Sequence, residues 1–275
     1  MKISVIVTTY NRPDALRLVL DSLSKQTDRN FEIDVADDGS RQETRDLVES
    51  FAKAHREIPT LHFWQEDKGF RRARILNKAA AGANGEYLVF IDGDCVVPPD
   101  FVSKHRSLAE FGHIVAGSRI LTGETFARDI LSGKVDPFSF GFWSLSNLFR
   151  LSQANAVNRW LPALSLPLGI LRKAKPRSWK IVRGCNWAIW KRDYERVDGF
   201  DESFEGWGGE DSDIVIRLLN SGIRVKSGRL CIYVLHLWHQ EVSRENSGRN
   251  FRIVYERLRN GATKPEKGMS KAFID

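Results

Sequence analysis

Cysteine is scarce in this sequence of 275 residues, and long apolar runs are missing. The three cysteines, Cys95, Cys185 and Cys231, are widely spaced and form no CxxC pair, so neither a disulfide framework nor a thiolate zinc site is predicted. A reducing cytosol fits this composition. No stretch approaches the ~18 to 20 apolar residues that span a bilayer, and the first residues do not resemble a secretory signal. We therefore expect a cytoplasmic protein whose contact with a membrane is at the inner face of the cytoplasmic membrane.

Acidic residues are absent between Asp136 and Asp193, in a chain whose net charge is +7. Basic and aromatic side chains are frequent there, and together they favour peripheral association with an anionic membrane or with a phosphorylated glycolipid. An ordinary hydrophobic subdomain with a basic rim is the alternative interpretation. The basic residues are Arg150, Arg159, Arg172, Lys173, Lys175, Arg177, Lys180, Arg183, Lys191 and Arg192, and the aromatic residues are Phe138, Phe140, Phe142, Trp143, Phe149, Trp160, Trp179, Trp187 and Trp190.

Predicted strands and helices alternate along the first part of the chain, which is typical of a parallel, doubly wound α/β sheet. The alternation breaks from 121 to 181, where we expect an insertion that is helical in pieces. It resumes at 182, with a helix after Asp211 and a strand at 230–235, and the last dozen residues are expected to be disordered. The strands predicted in the first part are 3–9, 31–36, 60–65, 86–91 and 114–117, and the helices begin at Pro13 or lie at 44–51, 70–83 and 101–108.

Carboxylates follow two of the predicted strands, at the edge where ligands bind in such sheets. The segment 92–94, Asp-Gly-Asp, offers two carboxylates to a divalent cation with bound phosphates, so it predicts a Mn²⁺ or Mg²⁺ site, with a surface turn as the alternative. Asp37 and Asp38 follow another strand, where a nucleotide base or ribose would explain them. Ser40 and Glu43 have the spacing of a capping box, so Ser40 is predicted to cap the next helix.

The segment 207–211, Trp-Gly-Gly-Glu-Asp, combines an aromatic side chain, two flexible residues and two carboxylates. Acidic residues at a helix start are stabilised by the helix dipole, so an ordinary helix N-terminus is one interpretation. The other is a general base, Glu210 or Asp211, beside an aromatic platform for a sugar. His236 and His239 lie further along, and one of them could complete a metal site that two carboxylates leave underfilled.

Together these segments resemble family 2 glycosyltransferases of the GT-A fold. The second half also resembles β-1,4-galactosyltransferases and bacterial chondroitin polymerases. The resemblance covers roughly 1–118 and 182–245, and it implies a single GT-A domain with a Rossmann-like nucleotide-binding half at 1–120 and an acceptor and catalytic half at 182–245. The basic, aromatic insertion at 121–181 departs from the family pattern, and 246–275 is expected to be a C-terminal tail. The matching segments are 5–13 (Val-Ile-Val-Thr-Thr-Tyr-Asn-Arg-Pro), 37–40 (Asp-Asp-Gly-Ser), 91–94 (Ile-Asp-Gly-Asp), 199–202 (Gly-Phe-Asp-Glu), 206–213 (Gly-Trp-Gly-Gly-Glu-Asp-Ser-Asp) and 239–241 (His-Gln-Glu).

The resemblance also implies a role for each matching residue and a reaction. The reaction is a single inverting displacement from a UDP-sugar onto a glycan or glycolipid acceptor, and we expect it to serve lipopolysaccharide or capsule synthesis. Galactose, N-acetylgalactosamine, glucose and N-acetylglucosamine all remain open as the sugar, and the resemblance leans toward the first two. The implied roles are donor binding by Thr8, Tyr10, Asp37, Asp38, Asp92, Asp94 and one of Arg71, Arg72 and Arg74, taken as Arg72; metal binding by Asp94 and His239; catalysis by Asp211 as the base; and acceptor binding by Trp207 and Glu210.

Three other functions could use the same residues, and a feature of the sequence argues against each. A sugar nucleotidyltransferase would need a glycine-rich loop after the first strand, and 8–13 contains no glycine. A non-catalytic carbohydrate-binding or assembly protein would not need to retain Asp92, Asp94, Asp211 and His239 together. A nucleic-acid binder could use the aromatic and basic side chains of 121–181, but the acidic clusters would repel phosphates and no nucleic-acid module is visible.

Overall fold

A computed structural model describes residues 1–240 and 247–271 of the chain. Within these residues the strands form a sheet of seven and a sheet of three. The strands are β1 (Ile3–Thr9), β2 (Phe31–Asp37), β3 (Thr60–Trp64), β4 (Tyr87–Asp92), β5 (Cys95–Val96), β6 (His113–Ala116), β7 (Ser118–Leu121), β8 (Asn186–Trp190), β9 (Arg224–Ser227) and β10 (Tyr233–His236).

Helices connect most of these strands, as the alternation in the sequence predicts. Short 3-10 helices occur at Leu161–Leu164, Gly169–Lys173, Trp179–Ile181 and Met269–Lys271. The α-helices are α1 (Pro13–Ser24), α2 (Gln42–Ala54), α3 (Arg72–Gly82), α4 (Phe101–Leu108), α5 (Glu124–Leu131), α6 (Leu145–Gln153), α7 (Lys191–Arg196), α8 (Glu210–Asn220) and α9 (Ser247–Asn260).

The large sheet has the strand order β3-β2-β1-β4-β8-β6-β9. Its first four strands pair in parallel, whereas β8 runs antiparallel to both β4 and β6. Apolar side chains cover both faces of the sheet: α1, α2 and α4 pack on one face, and α3, α7 and α8 pack on the other. A strand that is buried on both faces has apolar residues at nearly every position, so these strands are easy to predict from the sequence. The predicted α/β fold with a mostly parallel central sheet is confirmed.

The small sheet brings the end of the chain's last strand beside the end of β4. In the order β5-β10-β7, His236 pairs with Cys95, and the backbone N–H of Leu237 donates to the carbonyl of Asp94 at 2.9 Å. These contacts attach the second half of the chain to the segment that carries the Asp-Gly-Asp carboxylates.

Two local predictions were wrong. Ser40 does not cap α2: the helix begins at Gln42 with Arg41 at its N-cap position, and the Ser40 hydroxyl accepts from the backbone N–H of Asn11 at 2.8 Å. The strand expected from 230 begins later, because Leu230 has a φ of 54°, a left-handed conformation that no strand contains. By contrast, the helix expected at about 70–83 is confirmed as α3.

The insertion has the helical pieces that the sequence predicts. Helices α5 and α6 and the 3-10 helix Leu161–Leu164 enclose a third apolar core, in which Ile130, Leu148 and Leu151 pack together with Tyr233 and Leu235 of β10. The insertion is therefore packed against the small sheet.

The C-terminal residues are ordered as far as they are described. Helix α9 packs on α8, and the backbone N–H groups of Lys267 and Ser270 donate to Asp201 and Asp198. The disorder expected for the last dozen residues is thus wrong for 264–271. Residues 272–275, Glu241 and the predicted boundary at 245–246 lie outside the described residues. Among the helices of 1–240 and 247–271, none combines the length and the apolar character needed to cross a membrane.

Candidate active site

The carboxyl ends of β1, β2 and β4 form one edge of the large sheet, and the end of β10 and the start of α8 lie against it. Thr8 pairs with Asp92 in the register of β1 and β4. The Gly93 N–H donates to the Thr8 carbonyl at 2.6 Å, and a Cβ at Gly93 would lie 2.8 Å from that oxygen. Glycine is therefore required between the two carboxylates, because any side chain would push the turn away from β1.

Asp94 lies between two histidine side chains. Its Oδ2 is 3.4 Å from Nε2 of His239, and its Oδ1 is 3.6 Å from Nε2 of His236. Burial raises the pKa of Asp94, and the imidazole of His236 opposes that rise. Ligand atoms of Asp92, Asp94, Cys95 and His236 all lie within 4.8 Å of one another. The resemblance assigns His239 to the metal, and the structure places His236, the other histidine considered from the sequence, beside Asp94 as well.

These side chains fit a divalent cation of the Mn²⁺ type. The Nδ1–H of His239 donates to the carbonyl of Gln240 at 2.9 Å, so Nε2, which faces Asp94, is the atom that would bind an ion. Burial raises the pKa of the Cys95 thiol, which therefore stays uncharged and is a weak ligand. The remaining donors are carboxylate oxygens and imidazole nitrogens, a set that suits Mn²⁺.

Arg72 connects the two halves of the site. Its guanidinium donates to Asp92 at 2.8 Å, to Asp211 at 2.9 Å and to Glu210 at 3.2 Å. The Arg72 side chain is mostly buried, so these charge-assisted hydrogen bonds are shielded from water. Of the three neighbouring arginines, Arg72 is the one placed in the carboxylate cluster, whereas the backbone N–H of Arg71 holds Asp38 at 2.9 Å.

The two candidate bases differ in environment although they are adjacent. The side chain of Asp211 is 28% exposed and that of Glu210 is 8% exposed, so Asp211 is the more accessible. Burial, together with the nearby Asp211, raises the pKa of Glu210 to about 7 against the opposing effect of Arg72. Burial also raises the pKa of Asp211, but Arg72 counteracts that rise. Because its side chain is the more exposed of the two and is held by Arg72, Asp211 is the better candidate for a base that an acceptor can reach.

Gly184 is a neighbour of Asp211 that could not be predicted from the sequence. Its backbone N–H hydrogen-bonds the Asp211 carboxylate, and a side chain at this position would overlap that carboxylate. A glycine before a strand carries no charge or periodicity that could have indicated this contact.

The nucleotide end of the site is a set of polar side chains after β1 and β2. Asp37 is buried, accepts from the Ser40 N–H at 2.7 Å and lies 3.0 Å from Nε2 of His62. Asp38 accepts from the Arg71 N–H. Tyr10 is about half exposed and donates to Asp67 at 2.9 Å. Asp37 thus stabilises the turn, whereas the Tyr10 ring is accessible to a ligand.

The loop 206–209 precedes the two acidic residues. Gly208 and Gly209 have φ values of 95° and 98°, which favour glycine, and Gly209 is the N-cap residue of α8. Trp207 is 37% exposed at the surface of this loop. The structure therefore brings Trp207, Glu210 and Asp211 together at one side of the carboxylate cluster.

Family models match this chain over almost all of the region that forms the site. The model of glycosyl transferase family 2 matches residues 4–174, and the model of the N-terminal domain of galactosyltransferase matches residues 170–240. The chain therefore belongs to glycosyl transferase family 2. The order of the two matches agrees with the two resemblances seen in the sequence.

Individual relatives extend this finding. Over 82% of its length the chain is 30% identical to validoxylamine A glucosyltransferase of Streptomyces hygroscopicus subsp. jinggangensis, covering 53% of that protein. Over 82% of its length it is 27% identical to chondroitin synthase of Escherichia coli, covering 33% of that protein. The chain thus spans about half the length, or less, of these relatives.

A solved structure confirms the GT-A fold. The structure of GalNAc-T7 with UDP, GalNAc and Mn²⁺ superimposes with a TM-score of 0.63 at 18% identity, and the match covers 93% of this chain and 48% of that chain. A likeness at this level of sequence identity shows the fold alone.

Proposed function

We propose that this chain is an inverting, metal-dependent glycosyltransferase that moves a sugar from a UDP-sugar to a carbohydrate or glycolipid acceptor in bacterial surface glycan synthesis. The observation that carries the proposal is the single carboxylate cluster in which Arg72 joins Asp92 to Asp211. Asp92 suits the donor side and Asp211 suits the acceptor side, and the guanidinium of Arg72 holds the two carboxylates close together. Transfer of a sugar requires the two substrates to be held close together in the same way.

The donor would lie along the ends of β1, β2 and β4. Tyr10 offers a ring to the uracil, Thr8 and Asp38 lie beside it, and Asp37 supports their turn. Arg72 and Asp92 would contact the donor beyond the base.

Asp94 and His239 would hold Mn²⁺, or Mg²⁺ in its place, with His236 adjacent. When bound, the ion supplies positive charge that stabilises a departing diphosphate.

Asp211 would act as the base. It would remove the proton from an acceptor hydroxyl, whose oxygen bonds to the anomeric carbon as the bond from that carbon to the diphosphate breaks. Attack from the opposite side inverts the configuration, so an α-linked donor would give a β-linked product. Trp207 and Glu210 would hold the acceptor sugar, and Glu210 remains partly protonated near neutral pH because its pKa is about 7.

The relatives support sugar transfer and differ in the sugar. Their names include a glucosyltransferase and a chondroitin synthase, and the solved neighbour contains UDP and GalNAc. We favour galactose or N-acetylgalactosamine, because the match to the galactosyltransferase domain covers the segment with Trp207 and Asp211.

A screen of UDP-sugars tests this proposal. UDP-galactose, UDP-N-acetylgalactosamine, UDP-glucose and UDP-N-acetylglucosamine are incubated with the protein and Mn²⁺, and release of UDP is measured. We expect at least one donor to be hydrolysed, with loss of activity on chelation and in Asp94→Ala. Binding of a UDP-sugar without hydrolysis would favour the non-catalytic alternative, and binding of no nucleotide sugar would contradict the proposal.

We further propose that the insertion, 121–181, mediates peripheral association with anionic membrane and access to a glycolipid acceptor. Phe140 is fully exposed, and Ile170 and Leu171 are largely exposed, close in sequence to Lys175 and Arg177. Apolar side chains next to cations are suited to the interface of an anionic bilayer.

Charge reversal tests the membrane proposal. Lys173→Glu, Lys175→Glu and Arg177→Glu together should reduce sedimentation with anionic liposomes and leave the small binding to neutral liposomes unchanged. Because Lys173 pairs with Glu110, the double variant without Lys173→Glu separates membrane binding from folding. Unchanged binding to anionic liposomes would contradict the proposal.

A further inference from the structure

Helix α9 lies beyond the segments that the family models match, yet it contacts the loop that leads to the base. The models end at 174 and 240, and α9 begins at Ser247. Its first turns pack against 206–209. The side chain of Asn250 is 2% exposed and donates to the carbonyl of Glu205 at 3.2 Å.

The contact between α9 and the loop is tight at Gly209 and looser at Gly208. A Cβ at Gly209 would lie 3.0 Å from Cβ of Asn250 and 3.0 Å from the ring of Phe204, and a Cβ at Gly208 would lie 3.8 Å from the ring of Phe251. Because Gly209 is the residue before Glu210, a displacement of Asn250 moves the start of α8 and the base with it.

Helix α9 is also attached at its far end. Arg257 donates to Asp201 at 2.6 Å and to Asp213 at 3.2 Å, and Asp213 is itself bonded to the buried Arg217. Asp213 is in the first turn of α8, two residues after Asp211. Between the two ends, Val254 packs with Phe204 and Ile216 in a small apolar cluster. The helix is thus held at two points on either side of the segment that carries Asp211.

We propose that α9 is a positioning element of the active site, with Asn250 as its key residue: it holds the loop 206–209 and thereby sets the positions of Trp207 and Asp211 for the acceptor. The inference rests on the proposed transferase function for its kinetic consequence. Asn250 acts through the loop and touches no reacting atom. A shift of about 1 Å in a catalytic group can lower a rate by roughly 10²-fold, so a small loosening of this contact is measurable.

Hydrogen exchange with the full chain tests the positioning directly. In Asn250→Ala we expect the amides of 204–211 to exchange about tenfold faster or more, while α9 and β4 keep their protection. Phe251→Ala, which removes a partly buried ring, is the second variant, and Tyr255→Ala, an exposed position on the same helix, is the matched control. Unchanged exchange at 204–211, or equal loosening of α8 and α9, would overturn the proposal.

The kinetic arm uses hydrolysis of whichever UDP-sugar of the four-donor screen the wild-type protein cleaves fastest. We expect kcat to fall about tenfold in Asn250→Ala, with the donor KM changed less than about twofold, because the loop faces the acceptor and not the nucleotide. An unchanged kcat, or a donor KM that rises in parallel, would overturn the kinetic part. If the wild-type protein hydrolyses no donor, the transferase function fails, and hydrogen exchange still decides the positioning role.

Discussion

The active-site edge and the insertion place side chains in opposite ways. At the edge, Arg72 is buried among Asp92, Glu210 and Asp211. In the insertion, the ring of Phe140 extends fully into solvent. A buried charge needs fixed partners, whereas an exposed apolar side chain next to cations suits a partner outside the chain. We propose that the first region serves chemistry and the second serves docking, and each prediction below tests that separation.

The largest expected effect is at the base. Asp211→Asn keeps the shape of the side chain and removes its ability to accept a proton, so donor hydrolysis should fall by about 10² to 10⁴. The matched variant Glu210→Gln should have a smaller effect, because Glu210 is less accessible and partly protonated near pH 7. Steady-state release of UDP measures both. Equal loss in the two variants would contradict the assignment of Asp211.

Removal of Arg72 should change both the rate and its pH dependence. Arg72 lowers the pKa of Asp211 against the effect of burial. In Arg72→Ala we therefore expect the pKa of Asp211 to rise. Because the ionised carboxylate is the active base, activity should begin to fall at a higher pH than in the wild-type protein as the pH is lowered. We expect a fall of about 10²-fold at neutral pH, since the base also loses a positioning contact.

A pH–rate profile of donor hydrolysis measures this shift. Arg177→Ala, in the insertion, is the control for removal of a positive charge, and its acidic limb should coincide with that of the wild-type protein. A coincident limb in Arg72→Ala would show that Arg72 does not act on the base.

Gly184→Ala should displace the base without changing its chemistry. The added methyl group would overlap the Asp211 carboxylate, so we expect kcat for donor hydrolysis to fall by roughly 10 to 10²-fold. Gly133→Ala, in the insertion, has open space around it, although its φ of 77° adds some backbone strain, and it should retain the rate. Melting temperatures distinguish displacement of the base from loss of folding.

The smallest expected effect on catalysis is in the insertion itself. Phe140→Ser and Ile170→Ser should each weaken binding to anionic vesicles by about tenfold, because fully burying such a side chain is worth ~1.5 to 3 kcal/mol. Hydrolysis of a soluble donor should stay unchanged. Co-sedimentation and UDP release measure the two properties in parallel. If these variants lose hydrolysis and keep vesicle binding, the separation of the two regions is wrong.

Much of the fold, and the positions along the chain of the residues that form the site, could be predicted from local sequence patterns. The β-branched runs of β1, β2 and β4 identify buried parallel strands, and the polar residues that follow them lie at one edge for that reason. The cap of α2 was mispredicted because Ser40 has the correct spacing but is engaged by Asn11 from another element. The defined structure of residues 264–271 was not predicted, because the residues that bind them, Asp198 and Asp201, are distant in sequence.

The sequence alone determined the residue types and their order: acidic pairs after apolar strands, a glycine where a turn needs one, and two histidines near the end of the last strand. Only the tertiary structure decided which of three arginines joins the carboxylates, that His236 also faces Asp94, and that Gly184 and Asn250 hold the segment carrying the base. The reason is physical. Strand and helix signals come from neighbours along the chain, whereas the distances and burial that set the charge of Asp211 come from elements that meet only when the two halves fold together.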